Sequence, residues 1–200
     1  MKTSQRFILH RQNSMGTYSK DYAGIEFDIR TQSGCLGVGH DPGSELVGVD
    51  DFFRTKKGGI LAVNLKEEGI IDDARYKLAR LEEEYFIFGA SVPEIVYQAT
   101  KNQAADLAFR ISDAEPIPPR GMLALFGWIW VDFFGVSNFP VKDLIEASSL
   151  GAKLVLASPE LHAESNLLMS LNQRFQEIQD SGISFDLICT KNRHKYWPNS

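Results

Sequence analysis

Cysteine is scarce. The 200 residues hold two, Cys35 and Cys189, far apart and without a C-x-x-C or any other metal-ligand spacing. A disulfide framework and a thiolate metal site are thereby excluded, and both thiols are expected to be reduced and in or near the core, as in a cytoplasmic protein. Long apolar runs are missing too. None approaches the roughly 18 residues of a membrane helix, and the N-terminal M-K-T-S-Q-R-F-I-L-H holds too short an apolar stretch for a signal peptide. Neither secretion nor a membrane span is expected. There is also no lysine- or arginine-rich block: 21 basic against 26 acidic residues leave a net charge of −5. A nucleic-acid backbone is held by a basic patch that displaces its counterions, so nucleic acid is excluded as a partner. What remains is an ordinary folding composition, 44% apolar and 24% charged with aromatics spread throughout, and residues 1–200 are expected to form one globular domain.

Short apolar runs recur along the chain, at 7–9, 25–29, 60–63, 85–88, 107–111, 128–131, 153–156 and 185–188. Each has the length and composition of a buried parallel strand. Helical spacing fills many of the gaps. Ile71, Ala74, Leu78 and Leu81 fall at steps of three or four; Ser91 and Pro93 form a helix start; N-F-P-V-K-D-L-I-E-A-S-S-L-G ends on a cap-like Gly151; a long stretch from Glu160 to Asp180 closes at Gly182. Strands alternating with helices in this number predict a compact TIM-type (β/α)8 barrel, the alternative being an open doubly wound sheet with fewer strands. Residues 11–23 carry no helical stripe, so the first crossover helix is expected to be missing or short. C-L-G-V-G-H, residues 35–40, reads as a small extra strand after a turn at Gln32-Ser33-Gly34.

Chemistry in such a barrel gathers at the carboxyl ends of the strands, and polar residues collect there. His10 and Arg11 follow the first run, Glu26 and Asp28 lie in the second, His40 and Asp41 follow the extra strand, and Asn64 and Lys66 end the third. Glu115, Asp132, Ser158, Glu160 and His162 come at the later ends. Glu26 and Asp28 share one face of their strand, because strand side chains alternate with period two. Two acids on a buried face cost several kcal/mol each unless something balances them. A divalent cation would do so through hard oxygen ligands. A solvated strand edge, or neutralisation by Arg11 or Arg30, would serve equally well on spacing alone.

H-R-x-N-S at 10–14, G-I-E-F-D-I-R at 24–30 and G-H-D-P at 39–42, in that order, resemble the signature of the glycerophosphodiester phosphodiesterase family, within the phosphatidylinositol-phospholipase-C-like phosphodiesterases of TIM-barrel fold. N-L-K at 64–66, R-I-S-D-A-E-P at 110–116, W-V-D-F-F at 130–134, S-P-E-L-H at 158–162 and the ending F-D-L-I-C-T-K look like a short bacterial branch of that superfamily. The resemblance implies a metal-dependent phosphodiester hydrolase acting on a small phosphodiester. His10 and His40 would be general acid and base, Arg11 and Lys66 would contact the phosphate, and Glu26 and Asp28 would hold Mg²⁺ or Ca²⁺. Histidine suits both proton transfers near neutral pH. The family's attacking group is commonly a neighbouring substrate hydroxyl, which gives a cyclic phosphate that water then opens. One position departs. Where the family has a third carboxylate in a Glu-x-Lys, this chain has Asn64-Leu65-Lys66, leaving a neutral carbonyl oxygen as third metal ligand, with Asp132 or Glu115 as acids that could compensate from across the mouth. Glu115, Asp132 and Glu160 are otherwise expected to line the site. Trp128 and Trp130 are expected in the core or against helices, and His162 and His194 at the surface. The rival expectation is a non-catalytic barrel that binds a phosphorylated ligand, in surface-polysaccharide metabolism.

Overall fold

The computed structural model describes residues 6–56, 58–135, 141–162, 178 and 180–198. In chain order the elements are β1 (Phe7–Leu9), β2 (Gly24–Gln32), β3 (Cys35–Val38), β4 (Val47–Gly48), α1 (Val49–Thr55), β5 (Ile60–Leu65), α2 (Ile71–Leu78), β6 (Tyr85–Phe88) and α3 (Val92–Thr100). They continue with β7 (Ala108–Ser112), α4 (Arg120–Leu123), β8 (Trp128–Asp132), α5 (Val141–Ser149), β9 (Lys153–Ala157), a 3-10 turn at Pro159–Leu161, β10 (Leu187–Thr190) and a last helical turn at Arg193–Tyr196. No helix lies between β1 and β2, as the lack of a stripe there predicts. Among the described residues no helix is long and apolar enough to cross a membrane.

The protein is a mixed α/β structure on one ten-stranded sheet. Eight strands run parallel in the succession β6-β5-β2-β1-β10-β9-β8-β7. β3 adds antiparallel to the end of β2, pairing Ile29 with Val38 and Gln32 with Cys35, and β4 follows it. The two ends of the succession meet through one parallel bridge, Ile87 to Leu107, with the Ile87 amide donating to the Asp106 carbonyl at 2.9 Å. That junction is a single bridge and no ladder.

Period-two alternation gives this sheet two apolar faces. Phe7, Ile25, Phe27, Ile29, Val63, Ile111, Val131 and Leu156 pack with Phe52, Ile71, Leu78, Ile95 and Leu144 of the helices. Ile8, Ala62, Phe86, Phe88, Trp128, Trp130, Val155, Leu187 and Cys189 form a second, smaller cluster on the opposite face. Trp128 stacks on Phe86 at 4.5 Å and Trp130 on Phe88 at 3.9 Å, so both tryptophans belong to the core and neither faces the helices. Glu26 and Asp28 alternate with Ile25, Phe27 and Ile29, which puts both acids on the second face. There Glu26 is in register with Ala62 and Asp28 with Asn64.

Other expectations shift. β7 and β10 begin one and two residues later than their apolar runs, and α1 and α4 arise where no stripe predicts them. Cys35 is exposed at the edge of β3, while Cys189 is buried, so only one thiol is a core residue. Most of the helix expected over 160–180 lies outside the described residues; its described start is the 3-10 turn Pro159–Leu161.

Candidate functional site

The acid pair is fully enclosed, with Glu26 and Asp28 each 1% exposed. The segment after β1 supplies much of the polar lining around them. Arg11 adopts a left-handed conformation (φ 51°), which turns its amide N–H onto Glu26 Oε2 at 2.7 Å. Asn13 then mimics a strand neighbour of Asp28: its Oδ1 accepts from the Asp28 amide at 2.9 Å and its Nδ2 donates to Asp28 Oδ2 at 2.6 Å. The first motif is thus a backbone-shaped seat for the second. From β5, the Asn64 amide donates to Glu26 Oε1 at 3.3 Å, and just beyond it the Lys66 ammonium lies 3.0 Å from Asp28 Oδ1.

Charge around the pair is unequal. Asp28 has Lys66; among the described residues Glu26 has no lysine or arginine within salt-bridge distance. Burial, and then the charge of Asp28, push the Glu26 carboxyl up to about 7, against the Arg11 amide, the Asn64 amide and Lys66, which pull it down. The pair is short of one positive charge. Mg²⁺ or Ca²⁺ fits this donor set, since two hard carboxylates stand on one strand face and the Asn64 side-chain carbonyl can join them by turning its amide over. Gly89 (φ +87°) leaves the room, as a Cβ there would lie 2.5 Å from Asn64 Oδ1. The two acids expected to compensate have partners of their own. Glu115 is held by Arg110 at 2.7 Å and by the Ser112 hydroxyl at 2.8 Å, and Asp132 by His162 at 2.7 Å.

His10 lies with Nε2 3.7 Å from Glu26 Oε2. Burial first, then Arg11, Lys191 and His162, lower its pKa to about 4, with Asp28 opposing. It is therefore a neutral imidazole near neutral pH. His40 is placed differently. Its Nε2 meets the Arg11 Nη2 at 2.9 Å and its Nδ1 meets Asp41 Oδ1 at 2.7 Å. A guanidinium can only donate, so Nε2 accepts and Nδ1 carries the proton given to Asp41. Arg11 spends its side chain on His40, and Arg30 spends its own on the His40 and Lys66 carbonyls at 3.0 and 3.4 Å. The acid pair's cation is Lys66, which corrects the alternative of neutralisation by either arginine.

Glu160 is buried and fully occupied, accepting from the Ser158 and Thr190 hydroxyls and the Lys191 amide. It braces β9 against β10. His194 is exposed, 3.4 Å from Asp21, as expected. His162 is also exposed, as expected, but it is not free there: it is anchored by Asp132 at 2.7 Å and rests against the Phe134 ring at 4.7 Å. Three contributors were missed by sequence reasoning, Asn13, His162 and Lys191. Lys191 was legible in principle, since it continues the inward period from Cys189; its Nζ caps the Glu160 carbonyl at 3.1 Å. Beside Lys66 opens a cavity of about 540 Å³, lined also by Gly89, Ser91, Arg110, Glu115 and Pro116. Comparison with known proteins brought out no matching family model, no similar curated protein and no similar solved structure.

Proposed function

We propose that this chain is a metal-dependent phosphodiesterase of glycerophosphodiesterase type, acting on a small phosphodiester with a free hydroxyl beside the phosphate. The sheet is read as a (β/α)8 barrel whose last seam is the Ile87–Leu107 bridge, with the second apolar cluster as its interior and the acid pair at its mouth. The single observation that carries the reading is a buried pair of acids short of one positive charge, beside a histidine held neutral and two cationic side chains.

Glu26, Asp28 and Asn64 would hold Mg²⁺ or Ca²⁺, and the bound ion would neutralise charge on the phosphoryl oxygens. The remaining work falls to the chain's own residues. Lys66 and Arg11 orient the phosphate, and Arg11 leaves His40 to do so, which links phosphate binding to the release of the His40 Nε2 lone pair. His10 accepts the proton of the neighbouring substrate hydroxyl as its oxygen attacks phosphorus. A second histidine returns a proton to the departing alcohol.

The test is a pair of substrates. A glycerophosphodiester with its neighbouring hydroxyl should release its alcohol in Mg²⁺ or Ca²⁺ and stop in chelator, whereas the deoxy analogue should not react. Saturable binding of glycerol phosphate without turnover would favour a ligand-binding barrel instead. Position 64 offers a gain of function. Asn64→Glu adds one ligand charge, and calorimetry should show divalent-ion affinity rising about tenfold or more. An unchanged affinity would remove the metal from this site.

A further inference from the structure

Resting on that reading, we infer that His162, oriented by Asp132, is the proton donor to the leaving alcohol, at the same carboxyl ends of the parallel strands as His10. Asp132 ends β8 on the same face as Trp128 and Trp130, and it is 4% exposed. Its Oδ1 takes the His162 Nε2 at 2.7 Å, and the Phe134 ring fixes the imidazole plane from the side. With Nε2 committed to a buried carboxylate, proton transfer is left to Nδ1, the arrangement in which one group aims a histidine and the histidine does the chemistry. His162 follows β9 and His10 follows β1, and both strands pair in parallel with β10, whose Thr190 carbonyl takes the His10 amide at 3.0 Å; just after it, the Lys191 ammonium donates to the Glu160 carbonyl at 3.1 Å, two residues before His162. The two imidazoles thus stand at the same end of the sheet.

His40 is less suited to the donor's part. Its orienting acid, Asp41, is exposed where Asp132 is buried, and its Nε2 is held by Arg11 until that side chain turns to the phosphate. The protons balance with His162 instead. In the first step the substrate hydroxyl loses its proton to His10, its oxygen bonds to phosphorus, the bond from phosphorus to the leaving oxygen breaks, and the His162 imidazolium protonates that alkoxide. In the second, water gives a proton to His162, its oxygen bonds to phosphorus, the cyclic ester bond breaks, and His10 returns its proton to the substrate oxygen.

A leaving-group comparison isolates this role. Wild type, His162→Ala, Asp132→Asn and His10→Ala would be assayed in divalent ion on two esters of glycerol phosphate, one releasing a simple alkyl alcohol and one releasing p-nitrophenolate, which leaves without a proton. His162→Ala should lose 10²- to 10³-fold in kcat on the alkyl ester and less than about tenfold on the nitrophenyl ester. Asp132→Asn should follow the same pattern more weakly, and His10→Ala should lose both. Equal losses of His162→Ala on the two esters would reduce His162 to a structural residue, and no loss would remove it from the reaction. Either overturns the inference while wild-type turnover stands; absence of wild-type turnover on both esters strikes the phosphodiesterase reading itself.

Discussion

Replacing His10 with alanine should lower kcat/KM by about 10³-fold on any glycerophosphodiester, whatever its leaving group, because on the proposed reading it removes the base that activates the attacking oxygen. Its environment adds a second, more particular expectation. A free histidine loses half its basic form near pH 6.5. In His10, burial together with Arg11, Lys191 and His162 moves that point to about 4. The imidazole is the active, neutral form above its pKa, so in divalent ion saturating enough to keep Glu26 ionised, the acid limb of kcat/KM should fall near pH 4, and activity at pH 5 should be close to that at pH 7. A limb near 6.5 in the free enzyme would remove His10 from the base role. The same shift acts on stability. A histidine whose folded pKa is depressed contributes fully above 6.5, and the contribution is lost as pH falls through 4, a cost on the order of 2–3 kcal/mol. His10→Asn should therefore blunt acid unfolding between pH 6.5 and 4.

Glu26→Gln should abolish divalent-ion binding and turnover, and yet make the metal-free protein more stable. Glutamine keeps an oxygen for the Arg11 amide, and its own amide can donate to Asn64 once that side chain turns over, so the hydrogen bonds of this seat survive. What disappears is a buried charge. For a carboxyl whose folded pKa is raised, stability is complete below the unfolded value, near 4.5, and is lost as pH rises through about 7. The gain of Glu26→Gln should thus be negligible below pH 4.5 and reach about 2–3 kcal/mol above pH 7, some 5–10 °C in Tm for a chain of this size. Thermal unfolding in chelator at pH 4 and at pH 8 checks it. Adding Ca²⁺ should then raise the wild-type Tm and leave the variant's unmoved. A variant less stable than wild type at pH 8 would mean that Glu26 is a structural acid and no functional one.

Period two in G-I-E-F-D-I-R was enough to place both acids on one face, and the absence of a stripe over 11–23 was enough to leave out the first crossover helix. Short-range patterns like these are set by the backbone's own repeat. Which cation serves Asp28 was not legible, because Arg30 and Arg11 are both nearer to it in sequence and only the β2–β5 register brings Lys66 to it. The partner of His162 was not legible for a similar reason. The histidine stands 30 residues from Asp132, and the pairing exists only because β8 and β9 lie side by side. Cys35 looked apolar in its neighbours, but the register of β3 on β2 leaves it at the strand's exposed end.

The order of the chain separates two tasks that a phosphodiester cleaver must combine. On the proposed reading, everything that grips the phosphate or balances the acids, from His10 to Lys66, is encoded in its first third, on β1, β2 and β5 and the turns after them. Asp132, His162 and Lys191 come from residue 132 onward, and the two groups are sewn together through the β1–β10 ladder on one side and the lone Ile87–Leu107 bridge on the other. On the proposed reading, the leaving alcohol is met by the later segments alone. Substrate range can then diverge among descendants by drift in those later segments, while the first third preserves the reaction.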